Sequence, residues 1–254
     1  MELIMLKLGG SLITDKSKPF TERIDVIERL AQEIHEAKKG GGFRLILGHG
    51  GGSYPHQPAT EYQTHEGLIN ENSSMGLAIV QDAASKLNRI VVDALINRGE
   101  NAISLQPSAS CIAENKRITE WYTKPIEHYL SNDILPVVYG DVGVDTANGC
   151  CILSTEEILN FLAKRLGASR VIMCGKTDGV FTADPNMNPD AREIAEINNE
   201  NFQSVRKYLT NSDGIGYRRD AAQGGAGTGA CRIRDTDRYN KRPQTRKPQE
   251  MPSW

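Results

Sequence analysis

Two apolar segments of this chain, residues 3–8 and 43–47, run straight into glycine clusters, Gly9-Gly10-Ser11 and Gly50-Gly51-Gly52-Ser53. Short runs that are apolar on both faces read as strands buried inside a parallel sheet. In an open parallel sheet, ligands sit beyond the carboxyl ends of the strands. Glycine at that place lets backbone N–H groups approach an anion with no Cβ in the way. A following helix start adds unpaired donors and a positive dipole end. One isolated Gly-Gly pair is ordinarily only a tight turn. Two at successive strand ends, with Lys7 and Lys16 beside the first, point to a pair of phosphate cradles.

The rest of the pattern fits such a sheet. Ile24, Ile27, Leu30, Ala31 and Ile34 recur at helical spacing up to Gly40-Gly41-Gly42. Residues 75–98 form a long helical pattern, 102–105 a short strand, 126–130 a helix piece and 135–139 another buried strand. Ser154 and Glu157 make a capping box at the head of a helix carrying Ile158, Leu159, Leu162 and Leu166. A strand over 171–174 precedes the Thr177-Asp178-Gly179 turn, and 202–209 reads as a last helix. Strands alternating with helices predict an α/β fold, with a mainly parallel sheet covered by helices on each side.

The formal net charge of −2 gives no reason to expect nucleic acid. The apolar run at 3–8 is interrupted by Lys7 and is far too short for a signal peptide or a membrane span. Five cysteines without a C-x-x-C pair read as unpaired thiols in a reduced, cytoplasmic setting. Composition breaks near residue 215. Residues 216–254 contain no Leu, Val or Phe, and their nine basic against four acidic residues leave −7 on the first 215. So little apolar surface cannot offset the entropy of ordering, so that segment reads as a disordered basic tail.

The residue types around the loops suit phosphoryl transfer, which needs positive charge on bridging and equatorial oxygens. Lys7, at a buried strand end, is costly unless its ammonium meets an anion. Lys16 follows in the next loop. A lone histidine is usually structural, but His56, just past the second glycine cluster, is placed to donate a hydrogen bond to a phosphate. No G-x-x-x-x-G-K-[ST], protein-kinase set, H-E-x-x-H or G-x-S-x-G occurs.

Lys7-Leu8-Gly9-Gly10-Ser11, His49-Gly50-Gly51-Gly52, Gly140-Asp141 and Thr177-Asp178-Gly179-Val180 occur in this order. Together they resemble the amino acid kinase family, whose members include acetylglutamate, aspartate and uridylate kinases. The stretch from His49 to His56, with Gln106-Pro107-Ser108 and Val138-Tyr139-Gly140-Asp141-Val142, is similar to the isopentenyl phosphate kinases of that family and to the related fosfomycin-phosphorylating kinase.

The resemblance covers residues 1–215. It implies a three-layer αβα sandwich with an open, mainly parallel central sheet, a homodimer, and ATP-dependent phosphorylation of isopentenyl phosphate with ATP and Mg²⁺. Lys7, Gly9, Gly10 and Ser11 would hold ATP phosphates, and Lys16 would stabilise the transferring group. Gly51 and His56 would bind the substrate phosphate, Gly52 would contact ATP, and Gly140 would lie by the substrate. Lys176, Thr177 and Asp178 would lie near the nucleotide. Met75, Ile79 and Val80 are either walls of an apolar pocket or a core stripe. A kinase for another small phosphate or phosphonate, or a non-catalytic relic, are the rival expectations.

The chain departs from the family pattern at Pro55, Gln57 and Ser154-Thr155-Glu156, and it lacks the family's Thr-Gly-Gly-Met loop with a nearby lysine. Residues 216–224 can be encoded so that dropping one base gives Val-Thr-Gly-Gly-Met-Leu-His-Lys. The same frame then permits an amphipathic helix and the family's final strand and loop. A frameshift just after Ile215 is therefore the expected origin of the tail.

Overall fold

A computed structural model describes residues 1–201, apart from 177, 178, 184–186, 196, 198 and 199. The expected helix at 202–209 and the tail lie outside the described residues. The central sheet is built from β1 (Glu2–Leu8), β2 (Phe43–His49), β3 (Ala102–Ser104), β6 (Leu135–Tyr139) and β9 (Arg170–Cys174), in the order β3-β6-β2-β1-β9. Every pairing in it is parallel, as the doubly apolar runs require.

Helices cover both faces. On one side lie α1 (Gly10–Ile13), α2 (Ile24–Lys39) and α4 (Ser73–Asn97); on the other, α5 (Lys124–Ser131) and α6 (Thr155–Leu166). Alternation along the strands divides the core accordingly. Leu45 and Leu47 join Leu30, Leu87 and Val91 on the first side, while Ile46 joins Ile158, Leu159 and Leu162 on the second. Helix α6 begins at an N-cap Ser154 whose side chain accepts from Glu157 N, and it ends at Gly167 in the left-handed region. The helix is thus placed by its own ends as well as by burial. A short α3 (His56–Glu61) follows the second glycine loop.

The periodicity did not reveal a second sheet. Strands β4 (Cys111–Glu114), β5 (Arg117–Trp121), β7 (Asp141–Asp145) and β8 (Gly149–Leu153) form a four-stranded sheet in the order β5-β4-β7-β8. Its strands are four or five residues long, too short for a period to stand out. The β4–β5 hairpin turns at Asn115 and Lys116, both at positive φ (49° and 66°). Lysine at that second position hides a turn that Asn-Gly would have announced. Asp145 supports this turn by accepting from the Asn115 and Lys116 amides.

Candidate active site

Strands β1 and β2 are neighbours in register, with Leu8 opposite His49, so the two glycine clusters leave the sheet side by side. They pack backbone on backbone. A Cβ on Gly10 would lie 2.4 Å from Gly52 N, and one on Gly50 would lie 2.7 Å from Gly10 N. Gly52 sits at φ +56°, and a Cβ there would meet Thr14 Oγ1 at 2.1 Å. These positions need glycine for close approach as well as for conformation.

Backbone bonds hold the first loop. Gly9 N donates to Cys174 O (2.8 Å), Leu12 N to Gly9 O (2.9 Å) and Thr14 N to Gly10 O (3.0 Å). The second loop is held by Gly50 N to Leu8 O (2.9 Å) and by side chains from elsewhere. The Thr14 hydroxyl donates to Gly10 O (2.7 Å) and accepts from Ser53 N (2.9 Å). The Ser53 hydroxyl accepts from Thr21 N (3.1 Å) and donates to Thr21 O (3.2 Å). The Tyr54 hydroxyl donates to Glu22 Oε2 (2.5 Å), and the Phe20 ring meets the Tyr54 ring edge-on at 5.4 Å. Burial and the Glu22 carboxylate push the Tyr54 phenol far above its usual range. The segment carrying Lys16 is thereby strapped to the segment carrying His56. The amides of Gly10, Ser11, Gly51 and Gly52 donate to no protein acceptor among the described residues.

His49 is fully buried and bonded through both ring nitrogens and its carbonyl. Its carbonyl accepts from Gly140 N (3.0 Å) and from the Thr155 hydroxyl (2.7 Å). Its Nδ1 lies 3.1 Å from Gly50 O, and a carbonyl can only accept, so Nδ1 carries the proton. Nε2 is then the acceptor for Asn88 Nδ2 at 3.1 Å, and Asn88 Oδ1 accepts from the Ser104 hydroxyl. The imidazole stacks on Tyr139, centroids 5.7 Å apart at 11°. Burial pushes its pKa down to about 4, so it is neutral near pH 7.

Lys7, opposite Gly48 on β2 and Met173 on β9, donates through Nζ to Glu156 Oε1. The anion that a buried lysine demands is therefore present in the protein itself. The other oxygen, Glu156 Oε2, is buried without a hydrogen-bond partner. His56 lies at the exposed start of α3. Desolvation first, and the Lys16 ammonium second, lower its pKa, which places Lys16 close by. Part of its surface meets water, yet the protein walls in enough of the ring to favour the neutral form. Asp15, whose carboxyl is held below its usual range chiefly by Ser17, also feels Lys18 and Lys176. Lys176 therefore borders the same loop.

The structure thus brings Gly9, Gly10, Ser11, Gly51, Gly52, Lys7, Lys16, His56, Gly140 and Lys176 to one edge of the sheet. Thr177 and Asp178 lie outside the described residues. Val80 is buried in the core and Met75 is 61% exposed, so the expected apolar stripe splits between core and surface. Sequence reasoning missed Thr14 and Asn88, and it noted Glu156 only as a departure from the family pattern, without its pairing to Lys7. Asn88 was detectable, because it interrupts the apolar stripe of Ala84, Leu87, Val91 and Val92 on α4; a polar group there must have a buried partner. Glu156 stands beside the capping box, in the first turn of α6. Thr14 carries no comparable signal.

Comparison with known proteins agrees with this geometry. The amino acid kinase family matches residues 2–228. An isopentenyl phosphate kinase of Methanothermobacter thermautotrophicus is 39% identical over 203 residues, 77% of this chain and 75% of that protein. One from Methanocaldococcus jannaschii is 33% identical over 220 residues, 84% of this chain and 81% of that protein. Among solved structures, an isopentenyl phosphate kinase superposes with a TM-score of 0.73 at 36% identity, covering 82% of this chain and 86% of that one. The chain belongs to the amino acid kinase family.

Proposed function

We propose that the chain transfers the γ-phosphoryl group of ATP to the phosphate of isopentenyl phosphate, giving isopentenyl diphosphate. The supporting observation is the pair of glycine loops on adjacent strands, their outward amides without a protein acceptor among the described residues and Lys16 beside His56 at the junction. The similarity to isopentenyl phosphate kinases supports the choice of acceptor.

The acceptor oxygen is already anionic, so no general base is needed, and catalysis is alignment plus charge stabilisation. Gly10 and Ser11 hold ATP phosphates with Lys7, which Glu156 keeps in place, and Gly9 lines that cradle by shape, since its amide is committed to Cys174 O. Lys16 neutralises the group in flight. Gly51 and His56 hold the acceptor phosphate, and Gly52 touches ATP. Gly140 flanks the acceptor by shape, since its amide is committed to His49. Lys176 lies near the nucleotide, and a role there is proposed for Thr177 and Asp178 from the resemblance alone.

The glycine cradles, into which a Cβ would not fit, suit a polyphosphate. Mg²⁺ is proposed to arrive on the phosphates of ATP. There it would supply charge neutralisation. A homodimer in the cytoplasm is the setting the resemblance implies, and among the described residues no helix is long and apolar enough to cross a membrane.

The kinase domain is proposed to end near residue 215 and to be followed by an out-of-frame segment, although the family match runs on to residue 228. Sequencing the gene across codon 215 tests this: a clean single frame removes the idea. For the activity, a coupled ATP assay is run with isopentenyl phosphate and fosfomycin side by side, on the chain as it stands and on a frame-restored version. Turnover of isopentenyl phosphate alone is expected. Preference for fosfomycin, or turnover of neither by both proteins, defeats the proposal.

A further inference from the structure

We infer that His49 is a positioning residue for the acceptor phosphate: its Nδ1–H pins the Gly50 carbonyl and thereby aims the Gly51 amide at the substrate. This rests on the proposed kinase reading, in which Gly51 faces the acceptor. The Gly50 carbonyl and the Gly51 N–H belong to one peptide unit. In a trans peptide they point in opposite directions, and the described residues contain no cis bond. Holding Gly50 O against His49 Nδ1 at 3.1 Å therefore turns the Gly51 N–H away from the core. That amide has no protein acceptor among the described residues.

Glycine has no steric preference to fix this orientation by itself; the flanking backbone bonds, Gly50 N to Leu8 O and Tyr54 N to Gly51 O, hold the neighbouring peptides, and the His49 side chain holds this one. The histidine is kept in the required tautomer from behind. Asn88 Nδ2 donates to Nε2 at 3.1 Å, and Asn88 is in turn oriented by Ser104. The backbone of His49 is fixed independently by Gly140 and Thr155. Four elements, α4, α6, β3 and the β6–β7 junction, thus converge on the direction of one N–H bond.

The same atoms specify how to test it. ¹⁵N NMR on the full chain is expected to show His49 as the Nδ1–H tautomer. Adding inorganic phosphate is expected to shift the Gly51 amide more than the Gly50 amide. In kinetics, His49→Gln, which loses the donor at Nδ1, is expected to raise KM for isopentenyl phosphate about tenfold and leave KM for ATP within about twofold. His49→Asn, which keeps a donor at that position, is expected to recover most of the difference.

An Nε2–H tautomer, a Gly51 amide indifferent to phosphate, or a folded His49→Gln with unchanged KM would each overturn the inference. If neither variant folds, the NMR arm on the unsubstituted protein decides alone. If neither that protein nor its frame-restored version turns over isopentenyl phosphate, yet the tautomer and the phosphate shift are seen, the kinase assignment fails and the positioning role of His49 stands.

Discussion

The two glycine loops leave adjacent strands and touch each other, yet they are held by different means. The first is secured mainly by backbone hydrogen bonds to its own helix and to β9. The second has backbone bonds too, Gly50 N to Leu8 O, Tyr54 N to Gly51 O and Phe20 N to Ser53 O, but adds a set of side chains: His49 below it, Ser53 and Tyr54 beside it, with partners at Asn88, Thr21 and Glu22. A backbone-held loop is insensitive to most substitutions but intolerant of any added atom. A loop held partly by side chains can be loosened one bond at a time.

The largest effect is expected where the loops meet. Gly10→Ala places a methyl group 2.4 Å from Gly52 N and must push both loops apart. A loss of about 3 kcal/mol or more is expected from overpacking, with activity down on the order of 100-fold from misplacement. Thermal melts and kcat/KM measure both, and a near-normal Gly10→Ala protein would break the contrast outright.

Next comes the histidine beneath the second loop. The His49 pKa is about 4 in the fold against 6.5 when unfolded, so below pH 6.5 the unfolded chain binds more protons. Its contribution is therefore complete above pH 6.5 and is lost as pH falls toward 4, by about 3 kcal/mol in all. Urea melts from pH 7 to 4 are expected to show that slope, and His49→Gln is expected to flatten it.

Ser53→Ala removes two bonds to Thr21 and is expected to cost about 1–2 kcal/mol. The loss should be confined to the second loop: KM for the acceptor changes and KM for ATP does not. The smallest change is Tyr54→Phe, expected to cost about 0.5–1 kcal/mol, as read by denaturant midpoint. If Ser53→Ala or Tyr54→Phe weakened ATP binding as much as acceptor binding, the two loops would be one mechanical unit rather than two.

The same division governs what could be read in the chain beforehand. The first loop was legible because it is local: an apolar run, two glycines and a lysine are contiguous, and the backbone does the rest. The parallel sheet followed from runs such as 135–139, whose residues are buried on both faces. The wiring of the second loop was not legible. Asn88 lies 39 residues from His49 in sequence, and Glu156 lies 149 from Lys7. Spacing carries no information about partners brought together only by the finished sheet. The small second sheet was missed for another reason: its strands are too short to show a period, and its Asn115-Lys116 turn lacks the usual glycine.

The in-register pairing of Leu8 with His49 has a consequence for how such an enzyme can change. Neighbouring strands in any sheet stand about 4.8 Å apart. On the proposed reading, that interval sets how far the giving and receiving phosphates stand from each other. Swapping the organic part of the acceptor alters only the surrounding walls, whereas the span the phosphorus must cross is ruled by the weave of the sheet.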